Sequence, residues 1–192
     1  MRRVAGVVLL AAFAACSILE PRPDPTRFFV LSATATNGAP AASDETQRRP
    51  RIGLGPVMLP GYLARPELVR RTAANELEPS RFERWGEPLE SATLRVLAED
   101  LTGLSHASVA RYPWLVSDSA DVQVVVDVHR FEPVEGARVE LVVDLEFHDF
   151  GKNESFARHH EITVPLAKDD GAAVAAAMSA ALLELARRVD AR

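Results

Sequence analysis

The sequence contains a single cysteine, Cys16, among 192 residues. One thiol cannot form an intrachain disulfide, and its neighbours do not resemble a metal site. The chain also lacks the G-x-S-x-G elbow of serine hydrolases and the glycine-rich loop that cradles phosphates. Positive charge is in the minority, with 22 Lys and Arg against 27 Asp and Glu, a net charge of −5. This balance argues against nucleic acid or anionic lipid headgroups as electrostatic partners.

The apolar run that precedes the cysteine is short. Residues 4–13 follow Arg2 and Arg3 and cannot cross a hydrocarbon layer of ~30 Å as a helix. Two alanines separate this run from Cys16, an order that resembles the bacterial lipobox, in which the thiol is diacylated and the preceding peptide is removed. We therefore predict a lipoprotein signal peptide over residues 1–15. The alternative is an ordinary secretory signal in which the cysteine is incidental.

Lipidation of this cysteine would anchor the mature chain to a membrane without spanning it. Ser17 stands where an Asp would signal retention at the inner membrane, so the expected location is the periplasmic face of the outer membrane. Residues 16–26 then form a proline-rich tether, and residues 27–192 form one domain. Loss of the signal peptide leaves 20 basic against 27 acidic residues, a net charge of −7.

Apolar residues alternate most clearly in the second half of the chain. This alternation predicts two strands, over residues 122–131 and 138–150, joined by a hairpin. Residues 155–166 add a third strand, and the opposite face of the second strand is charged and should face water. Further strands are expected over residues 27–35 and 51–59, followed by two short strands before Trp85.

Two helices are expected, over residues 87–104 and 169–189, and Asp169 or Asp170 can cap the second. In the first, an apolar stripe is expected at Leu94, Leu97, Leu101 and Leu104. In the second, it is expected at Val174, Met178, Leu182, Leu185 and Val189. These elements predict an α/β (α+β) fold with a single-layer mixed, largely antiparallel sheet and two main helices packed on it.

Residues 51–101 carry a more specific pattern. They resemble the signature region of the PqiC-type ABC transport auxiliary lipoproteins, in which a G-P-V strand leads into an L-P-x-Y-L-x-R-P turn and a W-x-E-P-L helix start. The matching residues are Gly55, Pro56, Val57, Leu59, Pro60, Tyr62, Leu63, Arg65, Pro66, Val69, Arg71, Asn75, Leu77, Trp85, Glu87, Pro88 and Leu89. Ala64 departs from the family, which commonly has Asp at this position.

The resemblance implies transport without catalysis or a cofactor. Proteins of this family accompany an ABC permease, its ATPase and an MCE-domain protein that forms a lipid tunnel across the periplasm. The chain would act as a lipid-anchored accessory subunit that docks this tunnel at the outer membrane, and several copies could form a ring around its mouth. The alternatives are a periplasmic lipid carrier, which would need an apolar pocket, and a lipoprotein hydrolase, which would need a nucleophile and a base.

Most residues of the signature are expected to be architectural, with Trp85 as a core anchor. Arg65, Arg70 and Arg71 could present a basic edge to a partner, although structural ion pairing is the better account of any one of them. Tyr62 can bury its ring while its hydroxyl stays paired.

The histidines do not predict a metal site. His159 and His160 are adjacent on a strand and should point to opposite faces, so they cannot easily share an ion. His129 and His148 could meet across a hairpin beside a carboxylate, but a solvated strand face is the simpler interpretation. We predict no catalytic residues and no metal ligands.

Overall fold

A computed structural model describes residues 23–35, 50–105, 107–114, 120–135 and 137–191. Within these ranges the backbone forms one eight-stranded sheet and two α-helices, which confirms the predicted α+β class. In this part of the chain, neither helix is long and apolar enough to cross a membrane. The predicted lipid attachment site, Cys16, lies outside the described residues, as do the predicted signal peptide and most of the tether.

The elements follow the chain in a simple order. The strands are β1 (Arg27–Phe29), β2 (Arg51–Met58), β3 (Glu67–Ala73), β4 (Glu76–Trp85), β5 (Ser108–Arg111), β6 (Val122–Val134), β7 (Arg138–Asp149) and β8 (Glu154–Pro165). The helices are α1 (Leu89–Leu104), between β4 and β5, and α2 (Gly171–Asp190), after β8. A short 3-10 turn, Gly61–Leu63, connects β2 to β3.

The long antiparallel ladder of β6, β7 and β8 is the main part of the sheet. The other edge of β6 receives β2 and the end of β3, both in parallel orientation. β5 extends the sheet beyond β2, while β4 and then β1 extend it beyond β3. The sheet is therefore mixed, and its longest pairings are antiparallel, as predicted.

The alternation of apolar residues in β6 and β7 correctly predicts which face of the sheet is buried. Val124 and Val126 in β6 and Leu141 and Leu145 in β7 are fully buried on the face that the helices cover. All five apolar residues predicted for the stripe of α2 are buried as well. Asp170 caps this helix, since its carboxylate accepts a hydrogen bond from the backbone N–H of Ala173.

The buried face of α1 differs from the predicted leucine stripe. Leu97 and Leu101 are buried, whereas Leu94 and Leu104 are only partly buried against the core. Because α1 packs against both the sheet and α2, small residues on its neighbouring faces are buried in their place. A stripe of leucines alone does not identify a helix face that contacts two elements.

β1 is much shorter than the strand expected over residues 27–35. The chain leaves the sheet after Phe29, because the next backbone groups bond to the helices. The Ser32 N–H donates to Ser179 Oγ on α2 at 3.1 Å. The N–H groups of Thr34 and Ala35 both donate to the buried carboxylate of Asp100 on α1, each at 2.8 Å.

Candidate functional site

A surface cleft of about 480 Å³ lies between the 3-10 turn and the beginning of α1. It is formed where two distant parts of the signature region meet. Its lining residues are Leu59, Ala64, Arg65, Pro66, Trp85, Gly86, Glu87, Pro88, Leu89, Glu90 and Ser91. Seven of these residues belong to the signature, so the pattern that sequence comparison singles out builds one concave surface. We call it the signature cleft.

The floor of the signature cleft is apolar and fixed to the backbone. Trp85 is buried, as expected of a core anchor, and its backbone N–H donates to the carbonyl of Pro66 at 2.7 Å. Leu89, also buried, begins α1 directly after Pro88, which occupies the N-cap position of the helix and not the first helical position. Two prolines and a paired tryptophan backbone therefore give the cleft a rigid apolar surface.

One wall of the cleft is held by an ion pair between Glu87, just before α1, and Arg95 in α1. Glu87 Oε1 lies 2.6 Å from Arg95 Nη2, which also donates to the carbonyl of Leu31 at 2.9 Å. Hydrogen bonding to Glu87 raises the pKa of Arg95, so the guanidinium remains charged. This pair ties the helix start to the segment that follows β1.

The three arginines predicted as a basic edge have different surroundings. Arg65 lines the signature cleft, is exposed, and has no ion-pair partner among the residues that the structure describes. Arg70 instead pairs with Glu83 at 3.0 Å and with Asp169 at 3.1 Å. The three side chains do not form one exposed edge, and only Arg65 is free to contact a partner.

Arg71 takes part in a buried cluster on the sheet face opposite the helices. Its guanidinium lies 2.8 Å from Glu132 Oε1, and the Tyr62 hydroxyl donates to Glu132 Oε2 at 2.9 Å. The N–H of Phe131 donates to the same carboxylate. Burial raises the pKa of Tyr62 to about 12, and the negative charge of Glu132 adds to this effect. The hydroxyl of Tyr62 is paired, as predicted, while its ring is only partly buried against the core.

Glu132 itself was missed by the sequence analysis. Its signal is a break in the alternation of β6, where the buried positions change from Val128 to Phe131 around a register shift. A bulge of this kind changes which face the following residues point to. The bulge therefore turns Glu132 toward Tyr62 and Arg71, the two signature side chains that bind it.

The histidines lie outside the signature cleft. Asp144 accepts from both His129, at 2.8 Å, and His159, at 2.6 Å. His160 points to the other face, where its Nδ1 lies 3.5 Å from Arg188 of α2, as expected of adjacent strand residues. No group of His, Cys, Asp or Glu able to hold a metal ion occurs in the described part of the chain.

His148 does not meet His129, contrary to the pairing considered from the sequence. Its Nδ1 lies 2.9 Å from Ser155 Oγ, and its Nε2 lies 3.8 Å from Glu146. A hydrolase would also need donors for an oxyanion. In the turn after β7, the N–H groups of Gly151 and Lys152 donate to Asp149. These two N–H groups are therefore already engaged.

A second cleft of about 510 Å³ is a weaker candidate. It lies between the segment after β1, α1 and β5, and its lining includes Glu99, Thr102 and Arg111. No signature residue contributes to it. The signature cleft is therefore the better candidate site.

Comparisons with known proteins bear on the family and the fold of the chain. A family model described as ABC-type transport auxiliary lipoprotein component matches residues 29–190. One solved structure of an uncharacterized protein superimposes with a TM-score of 0.70 and 15% identity, covering 86% of this chain and 97% of the other. A DUF330 protein from Xanthomonas campestris superimposes with a TM-score of 0.67 and 18% identity, covering 85% and 92%. No curated protein matches the sequence.

Proposed function

Because the chain belongs to the ABC-type transport auxiliary lipoprotein family, we propose that it is the lipid-anchored accessory subunit of an MCE/ABC-type intermembrane lipid transport system. In this role it docks the periplasmic tunnel formed by an MCE-domain protein at the outer membrane. The domain contributes binding and position, while the distant ATPase supplies the energy. Diacylated Cys16 holds it at the periplasmic face, and several copies surround the mouth of the tunnel.

The observation that carries this proposal is the convergence of signature residues on one rigid cleft. Leu59 and Pro66 offer apolar contact area, and the surrounding backbone is fixed by hydrogen bonds and prolines. Pre-formed apolar surfaces of this kind bind partners with little ordering cost. We therefore assign the signature cleft as the seat of a segment of the MCE-domain protein.

Arg65 adds a positive charge to this contact. It is an exposed cation at the cleft without an ion-pair partner among the described residues, so it can meet an acidic side chain of the docked segment. Ala64, where the family commonly has Asp, leaves this cation without an acidic neighbour in sequence. The partner segment is accordingly expected to be apolar with at least one Asp or Glu.

The lipid-carrier alternative would use the same cleft, since its floor is apolar enough to hold part of an acyl chain. The interior of the domain favours docking over carriage. Side chains from both helices fill the space above the sheet, with residues such as Leu97, Val126 and Leu182 fully buried. A hydrolase is disfavoured by the exposed, donor-poor surroundings of His148.

The proposal is tested by affinity purification of the membrane-tethered chain in mild detergent. Ser91 is exposed at the cleft and makes no structural hydrogen bond among the described contacts, so Ser91→Trp fills the cleft without touching the core. We expect wild type to co-purify an MCE-domain protein and Ser91→Trp to lose it. Ala176→Trp, at an exposed position of α2, is the matched control and should retain the partner.

A second pair of variants tests the charge. Arg65→Glu should weaken co-purification, because it reverses the cation at the cleft, whereas Arg111→Glu on β5 should not. The lipid-carrier alternative would instead be supported if wild type bound phospholipid stoichiometrically, Ser91→Trp lost that phospholipid, and no MCE-domain protein co-purified. An unchanged yield of partner from Ser91→Trp would remove the cleft from the docking surface.

A further inference from the structure

Three apolar side chains are exposed side by side at the β1 edge of the sheet. Phe28 is 67% exposed, Val30 is 55% exposed and Phe82 is 41% exposed. Single exposed apolar residues are ordinary, but a contiguous group of them marks an interaction surface. We call these three residues the β1 patch.

The strand register places the patch on one face. β1 runs parallel to β4 with Phe28 beside Arg84, and Phe82 comes two residues before that arginine. Val30, the residue after β1, lies beside Gly86, where its Cγ1 would lie 3.1 Å from an added Cβ. Phe29 points to the other face, toward α2. The β1 patch therefore lies on the sheet face that the helices leave open.

Two basic side chains lie next to the β1 patch. Arg81 lies over the ring of Phe82, with its Cζ 5.1 Å from the ring centroid. Arg84, adjacent to Phe28, is 40% exposed and only loosely paired with Glu67 at 3.7 Å. Aromatic rings with neighbouring arginines suit a surface that is apolar below and anionic above, since the rings enter the apolar layer while the guanidinium groups stay at headgroup level.

The position of the patch along the chain identifies its occupant. β1 begins at residue 27, directly after the tether, so the chain between the lipidated cysteine and the first strand spans 11 residues. Fully extended, it reaches about 36–40 Å. β1 is thus the strand tied most directly to the bilayer. On the basis of the proposed function, we propose that the β1 patch rests on the bilayer that holds the anchor, contacting anionic phospholipid headgroups.

The net charge of the domain does not conflict with this contact. A net charge of −7 for the mature chain disfavours long-range attraction to an anionic surface, as the sequence analysis concluded. The anchor removes the need for that attraction, because it holds the domain within a few tens of ångströms of the headgroups. Once the β1 patch rests on the bilayer, Arg81 and Arg84 lie within one Debye length of the headgroups, about 8–10 Å at physiological ionic strength.

The contact is tested with the lipidated full-length protein in vesicles of phosphatidylethanolamine and phosphatidylglycerol. Lipidation occupies the sulfur of the single native cysteine, so Phe28→Cys supplies one reactive thiol for an environment-sensitive fluorophore. Phe150→Cys is the matched control, because this Phe is 58% exposed at the opposite end of the sheet, after β7. We expect lipids with a doxyl quencher in their chains to quench the label at residue 28 and spare the label at residue 150.

Two further readouts separate the possible failures. Flotation with the vesicles reports the anchor itself, so a protein that does not float contradicts the proposed function and not the patch. Among floating samples, equal quenching at both positions, or none at residue 28, would overturn the proposal. A label at residue 28 that is shielded from aqueous iodide but not quenched by lipid would assign the patch to a protein partner. Replacing phosphatidylglycerol with phosphatidylethanolamine should reduce the quenching, and an unchanged signal would remove the role of anionic headgroups.

Discussion

At the scale of single residues, Glu132 explains why two signature side chains occur together. Its side chain is 1% exposed and bonds to Arg71, to the Tyr62 hydroxyl and to the backbone of Phe131. Removing one member of a buried ion pair leaves the other charge uncompensated, which costs more than the pair contributes. Arg71 and Tyr62 are therefore structural residues of the turn and sheet, and their substitution damages folding before it affects docking.

We expect Glu132→Ala to lower the free energy of unfolding by about 3 kcal/mol, because it leaves the guanidinium of Arg71 mostly buried without its carboxylate. Glu135→Ala, at an exposed position just after β6, should change it by less than about 0.5 kcal/mol. Urea denaturation followed by circular dichroism measures both. Equal effects of the two substitutions would show that the buried pair carries no special weight.

Asp144 joins three strands through two histidines. Hydrogen bonding, first from His129 and then from His159, lowers the pKa of this carboxyl, and hydrogen bonding to Asp144 raises the pKa of His159 above its ordinary value of 6.5. A histidine whose pKa is raised on folding stabilises the fold below its unfolded pKa. That stabilisation is lost as the pH rises through the folded pKa.

The difference in stability between wild type and His159→Gln should therefore be largest near about pH 5.5 and shrink toward about pH 8. Thermal melts of both proteins across this range give the difference directly. Burial and then Arg188 lower the pKa of His160, which has the opposite effect on stability. Because His160 is present in both proteins, its contribution cancels in the difference. A difference that grows with pH would contradict the assigned pair.

At the scale of elements, β1 is held by a helix as well as by its neighbouring strand. The N–H of Gly171, the first residue of α2, donates to Glu83 Oε1 at 2.8 Å, and the ring of Phe29 lies against the glycine. Hydrogen bonds from Arg70 and from Gly171 overcome burial and lower the pKa of Glu83. A Cβ at Gly171 would collide with both side chains, so the absence of a side chain is what lets β1, β4 and α2 meet.

Gly171→Ala is expected to destabilise the domain by about 1–3 kcal/mol, since Phe29 and Glu83 must move to admit the methyl group. Gly61→Ala is the matched control, because an added Cβ at Gly61 meets nothing within 4 Å. Its effect should stay within about 0.5 kcal/mol. Chemical denaturation ranks the two, and equal stability of the variants would contradict the close packing of β1 on α2.

The elements themselves were predictable to different degrees. The alternation in β6 and β7 identified both strands and their buried faces, because one sheet face meets helices along its whole length. The parallel insertion of β2 beside β6 was not predictable, since these strands pair across about 70 residues of chain. Local patterns carry no information on which distant strand completes a parallel pair.

The candidate site was predictable in its residues and not in its shape. The signature identified the L-P-x-Y-L-x-R-P turn and the W-x-E-P-L helix start, but their meeting depends on the β3–β4 hairpin between them. That hairpin brings the backbone of Trp85 to the carbonyl of Pro66 and so closes the cleft. The three predicted arginines do not form one edge, because the hairpin places Glu83 beside Arg70 and the sheet places Glu132 of β6 beside Arg71.

At the scale of the whole molecule, the proposed lipid anchor would decide where the domain acts. Cys16→Ala should abolish metabolic labelling with a palmitate analogue and leave an unprocessed or soluble product, because the acceptor thiol is gone. The control is Ser17→Ala, which keeps the thiol and should label normally. Label retained on Cys16→Ala would contradict the assignment of this residue as the lipid attachment site.

The most direct test of the central claim is photo-crosslinking from the signature cleft in living cells. A photoreactive amino acid at Ser91 lies at the cleft, and the same amino acid at Ala176 lies exposed on α2. The account predicts a light-dependent crosslink from residue 91 to an MCE-domain protein and none from residue 176. Crosslinks from residue 91 to phospholipid alone, or to no MCE-domain protein while the chain is correctly anchored, would contradict it.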